Sequence, residues 1–150
     1  MTRRPFLLLL MGLALSSCAS ADRPSVTLAS VTLAGLSLFE QRFITTLRVQ
    51  NPSNAEFAFE GVSVEVELNG KTFARGVSPS PMVVRAYGQD LVRVETISTT
   101  PDIVRHFRDL ARLGDLKIHY RLKGQLQPRG RPDAVPFHDK GVISLKDLGP

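Results

Sequence analysis

The chain has 150 residues, of which 43% are hydrophobic and 22% charged, and its formal net charge is +5. This composition is typical of one globular domain and excludes a disordered chain, and the single cysteine, Cys18, excludes a disulfide framework. The positive charge is too small and too dispersed to predict nucleic acid as a partner.

Residues 1–17 have the order of segments found in a bacterial signal peptide. Arg3 and Arg4 precede an apolar run from Phe6 to Leu15, and small residues follow. Such a run rises only about 15 Å as a helix, roughly half of a bilayer core, so we do not expect a permanent transmembrane span. Export by the general secretory route and export by the twin-arginine route remain alternatives, and the strongly apolar run favours the first.

Leu15-Ser16-Ser17-Cys18 resembles the lipobox of bacterial lipoproteins, in which the cysteine is acylated and becomes the new amino terminus. Two or three acyl chains, at about 0.8 kcal/mol per buried CH₂, anchor a protein stably. An unmodified cysteine after an ordinary secretory signal is the alternative. Ala19 in the second mature position implies an outer-membrane location facing the periplasm. We therefore predict a signal peptide at 1–17, a lipidated Cys18 with a short tether at 18–25, and one domain at 26–150.

From Val26 onwards, apolar residues alternate with polar ones, and turn residues interrupt them every eight to twelve positions, as in an antiparallel sandwich or barrel. A first extended region covers residues 26–39 and a second strand covers residues 43–50. Asn51-Pro52-Ser53-Asn54 ends the second strand. Pro52 disfavours helical torsions at Asn51, whose side chain can bond the backbone two residues on.

The next strand, residues 62–68, alternates strictly between valine or leucine and polar residues. Asn69 and Gly70 follow at once, and both tolerate positive φ. They predict a type I′ hairpin that returns the chain through residues 71–75 with Phe73 inward.

The remaining pattern predicts further strands and one helix. Strands are expected at 83–84 and 91–97, and a helix at 102–113 that packs across an open end of the sheet. An amphipathic strand at 116–123, a polar loop at 125–133 and a closing strand at 137–145 complete the domain.

Leu47-Arg48-Val49-Gln50-Asn51-Pro52, followed by a strand, the Asn69-Gly70 turn and Ala74-Arg75-Gly76, resembles the late-embryogenesis-abundant type 2 family, whose domain is called the water-stress and hypersensitive-response (WHy) domain. The resemblance extends from about Val26 to Leu145. It implies an immunoglobulin- or fibronectin-III-like antiparallel β-sandwich with one short helix between strands. It also implies a link to desiccation or other water stress, no catalytic residues, and a known lipoprotein form in bacteria.

The sequence contains no nucleophile elbow, phosphate loop or zinc-protease motif. His106, His119 and His138 are too widely spaced to predict a metal site. His138, Asp139 and Ser144 can be drawn as a catalytic triad, and this enzymatic alternative requires that they converge in space.

Two charged patterns have both a binding and a structural interpretation. Glu65 and Glu67 share one strand face, which favours a solvated face over a pair of catalytic acids. The candidate contacts for anionic lipid headgroups or lipopolysaccharide are Lys117, His119, Arg121, Lys123, Arg129 and Arg131. The alternative for this basic set is solubility with cross-strand pairing to the two glutamates, which we favour.

The sequence therefore predicts a monomeric, non-enzymatic, membrane-anchored lipoprotein that shields unfolding proteins or the membrane surface during water loss, through its edge strands or its basic face. The alternative is an envelope module that binds an acyl chain, a lipid or a periplasmic protein partner. Apart from the covalent lipid on Cys18, we expect no cofactor and no metal.

Overall fold

The computed structural model describes residues 23–98 and 117–144, and within these ranges the regular structure consists of eight β-strands. The strands are β1 (Ser25–Leu36), β2 (Gln41–Gln50), β3 (Phe57–Leu68), β4 (Lys71–Ser78), β5 (Met82–Val84), β6 (Gln89–Ser98), β7 (Lys117–Pro128) and β8 (Val135–Ser144). The predicted signal peptide, Cys18, His106 and the predicted helix at 102–113 lie outside the described residues.

The strands form one antiparallel sheet in the order β1-β2-β6-β4-β3-β7-β8, and β5 pairs with the start of β3. In the described ranges, β4 and β6 are joined by one pair, Arg75 with Ile97. The edge strands β1 and β8 approach each other where the Leu28 N–H donates to the Asp139 carboxylate at 3.1 Å. The fold is therefore mainly β, and the sheet curls into a half-barrel around its apolar face.

The concave face of the sheet holds one hydrophobic cluster. Its fully or nearly fully buried members include Leu47, Val49, Phe59, Val62, Val64, Val66, Val92, Val94, Leu122 and Leu126. Thr45 and Thr96 lie inside this cluster, where their hydroxyl groups are 2.9 Å apart and satisfy each other. Alternation along the regular stretches of the strands places these side chains inward and most of the charged ones outward.

The predicted β3–β4 hairpin is confirmed. Leu68 pairs with Lys71, and the two residues between them have the positive φ that a type I′ turn requires, 49° at Asn69 and 79° at Gly70. Phe73 is 7% exposed and points inward as expected.

Several predicted boundaries were wrong, among them the following three. The first strand ends at Leu36, because residues 37–40 form a turn in which the Ser37 N–H donates to the Glu40 carbonyl at 2.9 Å. β3 begins already at Phe57. The polar loop predicted from residue 125 begins only after Pro128, since Leu126 is fully buried opposite Val62 and the flanking glutamines point outward.

β1 contains the same five residues twice, since 25–29 and 30–34 both read Ser-Val-Thr-Leu-Ala. The register against β2 shifts at Ala29 and again at Ala34, so each pentad pairs with four residues of β2. A bulge of one residue returns the following side chains to the same face of the sheet. Both valines and both leucines of the repeat therefore lie on the core side, which an unbulged five-residue repeat would not permit.

Candidate functional site

Asn51, the residue that begins the Asn-Pro motif, is 3% exposed and hydrogen-bonded at both side-chain atoms. Its Nδ2 donates to the carbonyl oxygens of Ala55 (2.7 Å), Val84 (3.2 Å) and Arg85 (3.1 Å). Its Oδ1 accepts from the Ser53 N–H (3.1 Å) and hydroxyl group (2.8 Å). Asn51 thus ties the end of β2 to the loop before β6, and its side chain is fully engaged in holding this turn.

Gly76 lies at the contact between β4 and β6. A Cβ atom at this position would lie 2.2 Å from the Glu95 carbonyl oxygen, closer than any side chain can approach. Gly76 is therefore required next to the Arg75–Ile97 pair. Among the other motif positions, Pro52 is exposed and Gly70 supplies only the positive φ of its turn.

The residues of the hypothetical triad do not converge. His138 and Asp139 are neighbours in β8, so their side chains point to opposite faces of the sheet. The Asp139 carboxylate instead accepts the Tyr120 hydroxyl at 3.0 Å and the Leu28 N–H at 3.1 Å. Ser144 lies five residues beyond Asp139 on the same strand, about 17 Å from it along the backbone.

Residues 23–98 and 117–144 contain no group of three histidine, cysteine or acidic side chains placed to hold a metal ion. His119 and His138 both lie on the outer face, His119 opposite Val142 and His138 opposite Lys123. In the same ranges no helix has the length and apolarity that crossing a bilayer requires.

The outer face of β7 and β8 carries most of the predicted basic set, and we call it the basic face. It consists of Lys117, His119, Arg121 and Lys123 on β7 with His138 and Lys140 on β8, all exposed. Lys140 lies directly opposite Arg121, an addition that the linear sequence did not reveal because it depends on the β7–β8 register. The alternation of inward and outward residues along β8 could have predicted that Lys140 points to the outer face.

Glu67 on β3 neutralises part of the basic face. Its carboxylate accepts hydrogen bonds from Lys123 Nζ at 2.5 Å and Arg121 Nη1 at 3.4 Å. The hydrogen bond from Lys123, opposed by partial burial and aided by the charges of both cations, lowers the pKa of the Glu67 carboxyl. Lys117 and Lys140 have no ion pair among the described residues. The other glutamate, Glu65, pairs with Arg75 on β4 at 2.6 Å.

Arg129 and Arg131 belong to a different part of the surface. They follow β7, whose 12 residues separate them from Lys117 by about 40 Å. Arg129 Nε lies 3.7 Å from the Glu60 carboxylate, and the backbone carbonyl of Arg131 accepts from the Gln127 side chain at 2.8 Å. The six predicted basic residues thus form two groups, one along β7 and one in the β7–β8 loop.

A shallow cavity of about 390 Å³ opens on the basic face beside Gly70. Its lining includes Glu67, His119, Arg121 and Lys140 together with Tyr120. The charged side chains at this cavity can pair with a polar or anionic group.

The edge strand β1 has no charged residue along its 12 positions. Its second half is exposed, with Leu33 55% and Leu36 70% accessible, and the turn that follows exposes Leu38 (89%) and Phe39 (84%). We call Leu36, Leu38 and Phe39 the apolar tip. Soluble proteins usually protect edge strands with charges, as β8 does with Asp139 and Lys140. The uncharged edge and the apolar tip therefore form a candidate protein-binding surface.

Comparison with protein families gives one match. The model of the family described as late embryogenesis abundant protein matches residues 46–141, which include the Asn51-Pro52 motif, the Asn69-Gly70 turn and Gly76. No curated protein is similar enough in sequence to count as a match.

Two solution structures have a similar fold. One, of a protein from Arabidopsis thaliana, has a TM-score of 0.62 at 17% identity and covers 89% of this chain and 89% of that chain. The other, of a protein assigned to the late embryogenesis abundant class, has a TM-score of 0.52 at 19% identity and covers 86% of this chain and 75% of that chain. Similarity at these identities shows a shared fold alone.

Proposed function

The chain belongs to the late embryogenesis abundant protein family, and from this premise we propose that it is a non-enzymatic protective protein that shields unfolding proteins during water loss. Family membership supports the association with stress. The observation that carries the mechanism is the uncharged edge of β1 with the apolar tip at its end.

An unfolding protein exposes apolar side chains and unpaired backbone N–H and C=O groups. β1 is an edge strand of the sheet that the described residues form, so its outer backbone groups match those of the unfolding protein, and the apolar tip offers Leu36, Leu38 and Phe39. The start of β1 is occupied by the Leu28–Asp139 contact, so that the exposed second half is the part open to an extended segment. Contact over so few residues is weak and reversible, which suits a shield that must release its client.

We further propose that the protein is an exported lipoprotein, acylated on Cys18 and anchored in the outer membrane facing the periplasm. Its lipobox and mature Ala19 support this location. The first residue of β1, Ser25, lies at the end of the sheet that holds Asn51 and the β7–β8 loop. The apolar tip lies at the opposite end, about 40 Å along β1, so an anchored domain would direct it away from the membrane.

We also propose the finer architecture implied by the family resemblance, an immunoglobulin- or fibronectin-III-like sandwich with a short helix at 102–113. The curled sheet supports it, because β1-β2-β6 and β4-β3-β7-β8 are two multi-strand groups joined by the Arg75–Ile97 pair in the described ranges. Two groups facing one cluster of apolar side chains would act as the two layers.

The test uses the full-length lipoprotein in detergent, dried together with a labile enzyme whose remaining activity is measured. The variant Leu38→Ser/Phe39→Ser removes two residues of the apolar tip. The control Val77→Ser/Tyr87→Ser removes two residues of similar exposure elsewhere, at 79% and 74%. We expect the first variant to lose at least half of the protection and the control to keep it. Equal losses in both, or protection by the wild type no better than by an equal mass of inert protein, would overturn the proposal.

A second candidate function is contact with an anionic membrane surface. It is favoured by the cross-strand placement of Lys140 beside Arg121, which adds to the basic face a cation without an ion pair among residues 23–98 and 117–144. Each cation near an anionic bilayer contributes about 1 kcal/mol. Lys117→Gln/Lys140→Gln should weaken sedimentation with anionic vesicles several-fold, whereas Lys71→Gln/Arg93→Gln on other strands should not. If the protein does not bind anionic vesicles, or if its binding does not weaken as the salt concentration rises, this function is excluded.

A further inference from the structure

The repeated pentad gives β2 two equivalent partners within β1. In the observed register, residues 25–28 pair with residues 50–47 of β2, and residues 30–33 pair with residues 46–43. The pentads are identical in sequence and each is followed by a bulge at its alanine. We propose that β1 also pairs with β2 in a second register, shifted by one pentad, in which residues 30–34 occupy the place of residues 25–29. The proposal does not rest on the protective function.

The shift reproduces the contacts that the first pentad makes. Val31 would fill the buried site of Val26, which is 3% exposed, and Leu33 would fill the partly buried site of Leu28. The N–H of Leu33 would take over the hydrogen bond to Asp139 that the N–H of Leu28 now donates. The hydroxyl of Ser30 would likewise replace that of Ser25 at the Gln50 side chain.

The residues that follow the second pentad also suit the shifted register. Gly35 through Leu38 would pair with residues 46–43, which places Leu36 and Leu38 in the inward positions now held by Val31 and Leu33. These two leucines are 70% and 89% exposed in the observed register. The hairpin would then close through residues 39–42, a turn of four residues, the same length as the observed turn at 37–40.

The shift is favoured in one direction only, and the two registers are unequally populated. Movement the other way would bring the charged Arg23 into the inward site of Leu28. The observed register remains the major one, because the shift gives up the pairs Gly35–Arg42 and Leu36–Gln41 and the hydrogen bonds between Ser37 and Glu40. It would also release five residues ahead of the strand, about 17 Å of extended chain.

Disulfide trapping in the full-length chain distinguishes the two registers. Ser37 would lie opposite Ile44 only after the shift, and in the observed register the two Cα atoms are separated by about 10 Å or more along the strands, beyond the reach of a disulfide. Thr32 lies opposite Ile44 in the observed register, so T32C/I44C reports that state. S37C/R48C can bridge in neither register and is the control. Peptide mapping separates any bridge that involves Cys18.

We expect S37C/I44C to cross-link in native buffer at least tenfold faster than S37C/R48C and more slowly than T32C/I44C. Leu33→Asp provides the decisive variant, since Leu33 is 55% exposed in the observed register but would lie beside the Asp139 carboxylate after the shift. It should slow the S37C/I44C cross-link at least fivefold and leave that of T32C/I44C unchanged. A rate for S37C/I44C equal to that of S37C/R48C, or one unaffected by Leu33→Asp, would overturn the proposal.

Discussion

The Tyr120 hydroxyl on β7 donates a 3.0 Å hydrogen bond to Oδ2 of Asp139 on β8. The same carboxylate oxygen accepts the Leu28 N–H of β1, so that one side chain links the two edges of the sheet. Gly141 makes room for this arrangement, because a Cβ atom there would lie 2.6 Å from Cε1 of Tyr120. The closure of the curled sheet therefore depends on a small polar contact between β1, β7 and β8.

The first prediction concerns alkaline pH. Burial, together with the hydrogen bond to Asp139 and its charge, raises the pKa of Tyr120 from 10.0 to about 12. Because the folded state holds this proton more tightly, its contribution to the free energy of unfolding is complete below pH 10 and is lost as the pH rises towards 12. After allowance for solvent screening, we expect a loss of about 1 kcal/mol. Chemical denaturation of wild type and Tyr120→Phe at pH 9 to 12 measures it, and equal slopes would contradict the assignment.

A second prediction tests the carboxylate itself. Asp139→Ala leaves the Leu28 N–H without its acceptor, and we expect a loss of about 1–3 kcal/mol in the free energy of unfolding. Hydrogen exchange at the Leu28 amide should become faster. Asp133→Ala, at an exposed position in the β7–β8 loop, is the matched control and should change neither quantity. Unchanged exchange at Leu28 in the Asp139 variant would show that the edges are held by other contacts.

The third prediction concerns acid pH and Glu67. The cations Lys123 and Arg121 lower the pKa of this carboxyl below its usual 4.5, so its contribution to stability is present above that value and is lost as the pH falls through the lower folded value. Glu67→Gln should therefore flatten the acid side of the curve of melting temperature against pH. Glu56→Gln, at an exposed position before β3, should leave the curve unaltered. Parallel acid limbs for wild type and Glu67→Gln would refute the prediction.

The fourth prediction concerns the buried amide of Asn51. Asn51→Ala removes the donor for three carbonyl groups and the acceptor for Ser53, and it should cost about 2–4 kcal/mol in the free energy of unfolding. Asn54→Ala changes an exposed residue of the same turn and should stay within about 0.5 kcal/mol of wild type. Urea denaturation of the three proteins gives the comparison. A small effect at Asn51 would mean that water replaces the amide.

The fifth prediction concerns the contact between β4 and β6. Gly76→Ala would place a Cβ atom 2.2 Å from the Glu95 carbonyl oxygen, and we expect a cost of about 2 kcal/mol or more together with faster hydrogen exchange near Ile97. Gly61→Ala on β3 is the control, because its Cβ atom would meet the Ser78 carbonyl at an ordinary 3.5 Å. Equal stabilities of the two alanine variants would remove the packing argument.

Local patterns predicted those parts of the fold that depend on neighbouring residues. The Asn69-Gly70 turn was predictable because its two residues accept positive φ, and the inward side chains of β3 between Val62 and Val66 were predictable because apolar and polar residues alternate there. The end of β7 was missed because Gln125 and Gln127 are polar residues typical of a loop. Only Leu126 between them, which is buried, indicates that the strand continues. The bulges of β1 were missed since a five-residue period conceals the alternation.

The candidate surfaces depend on contacts between distant parts of the chain, and the sequence predicted them less completely. The exposure of the apolar tip and the separation of Arg129 from Lys117 require the strand order and the length of β7. The partners of Asn51 at the end of β5 and in the following loop, Val84 and Arg85, lie more than thirty residues away in sequence. No local pattern indicates them, whereas the turn-forming role of Asn51 was visible from the following proline.

The ladder between β1 and β2 has a mechanical consequence. Antiparallel hydrogen bonds run perpendicular to the strands, so a force applied to the chain ahead of Ser25, along the axis of β1, loads these bonds in shear, all together, rather than peeling them apart in turn. Under such a load β1 would travel towards its amino terminus, which brings the second Ser-Val-Thr-Leu-Ala into the place of the first. Under tension, a strand with this repeat would shift by five residues and would then form an equivalent set of pairs with β2.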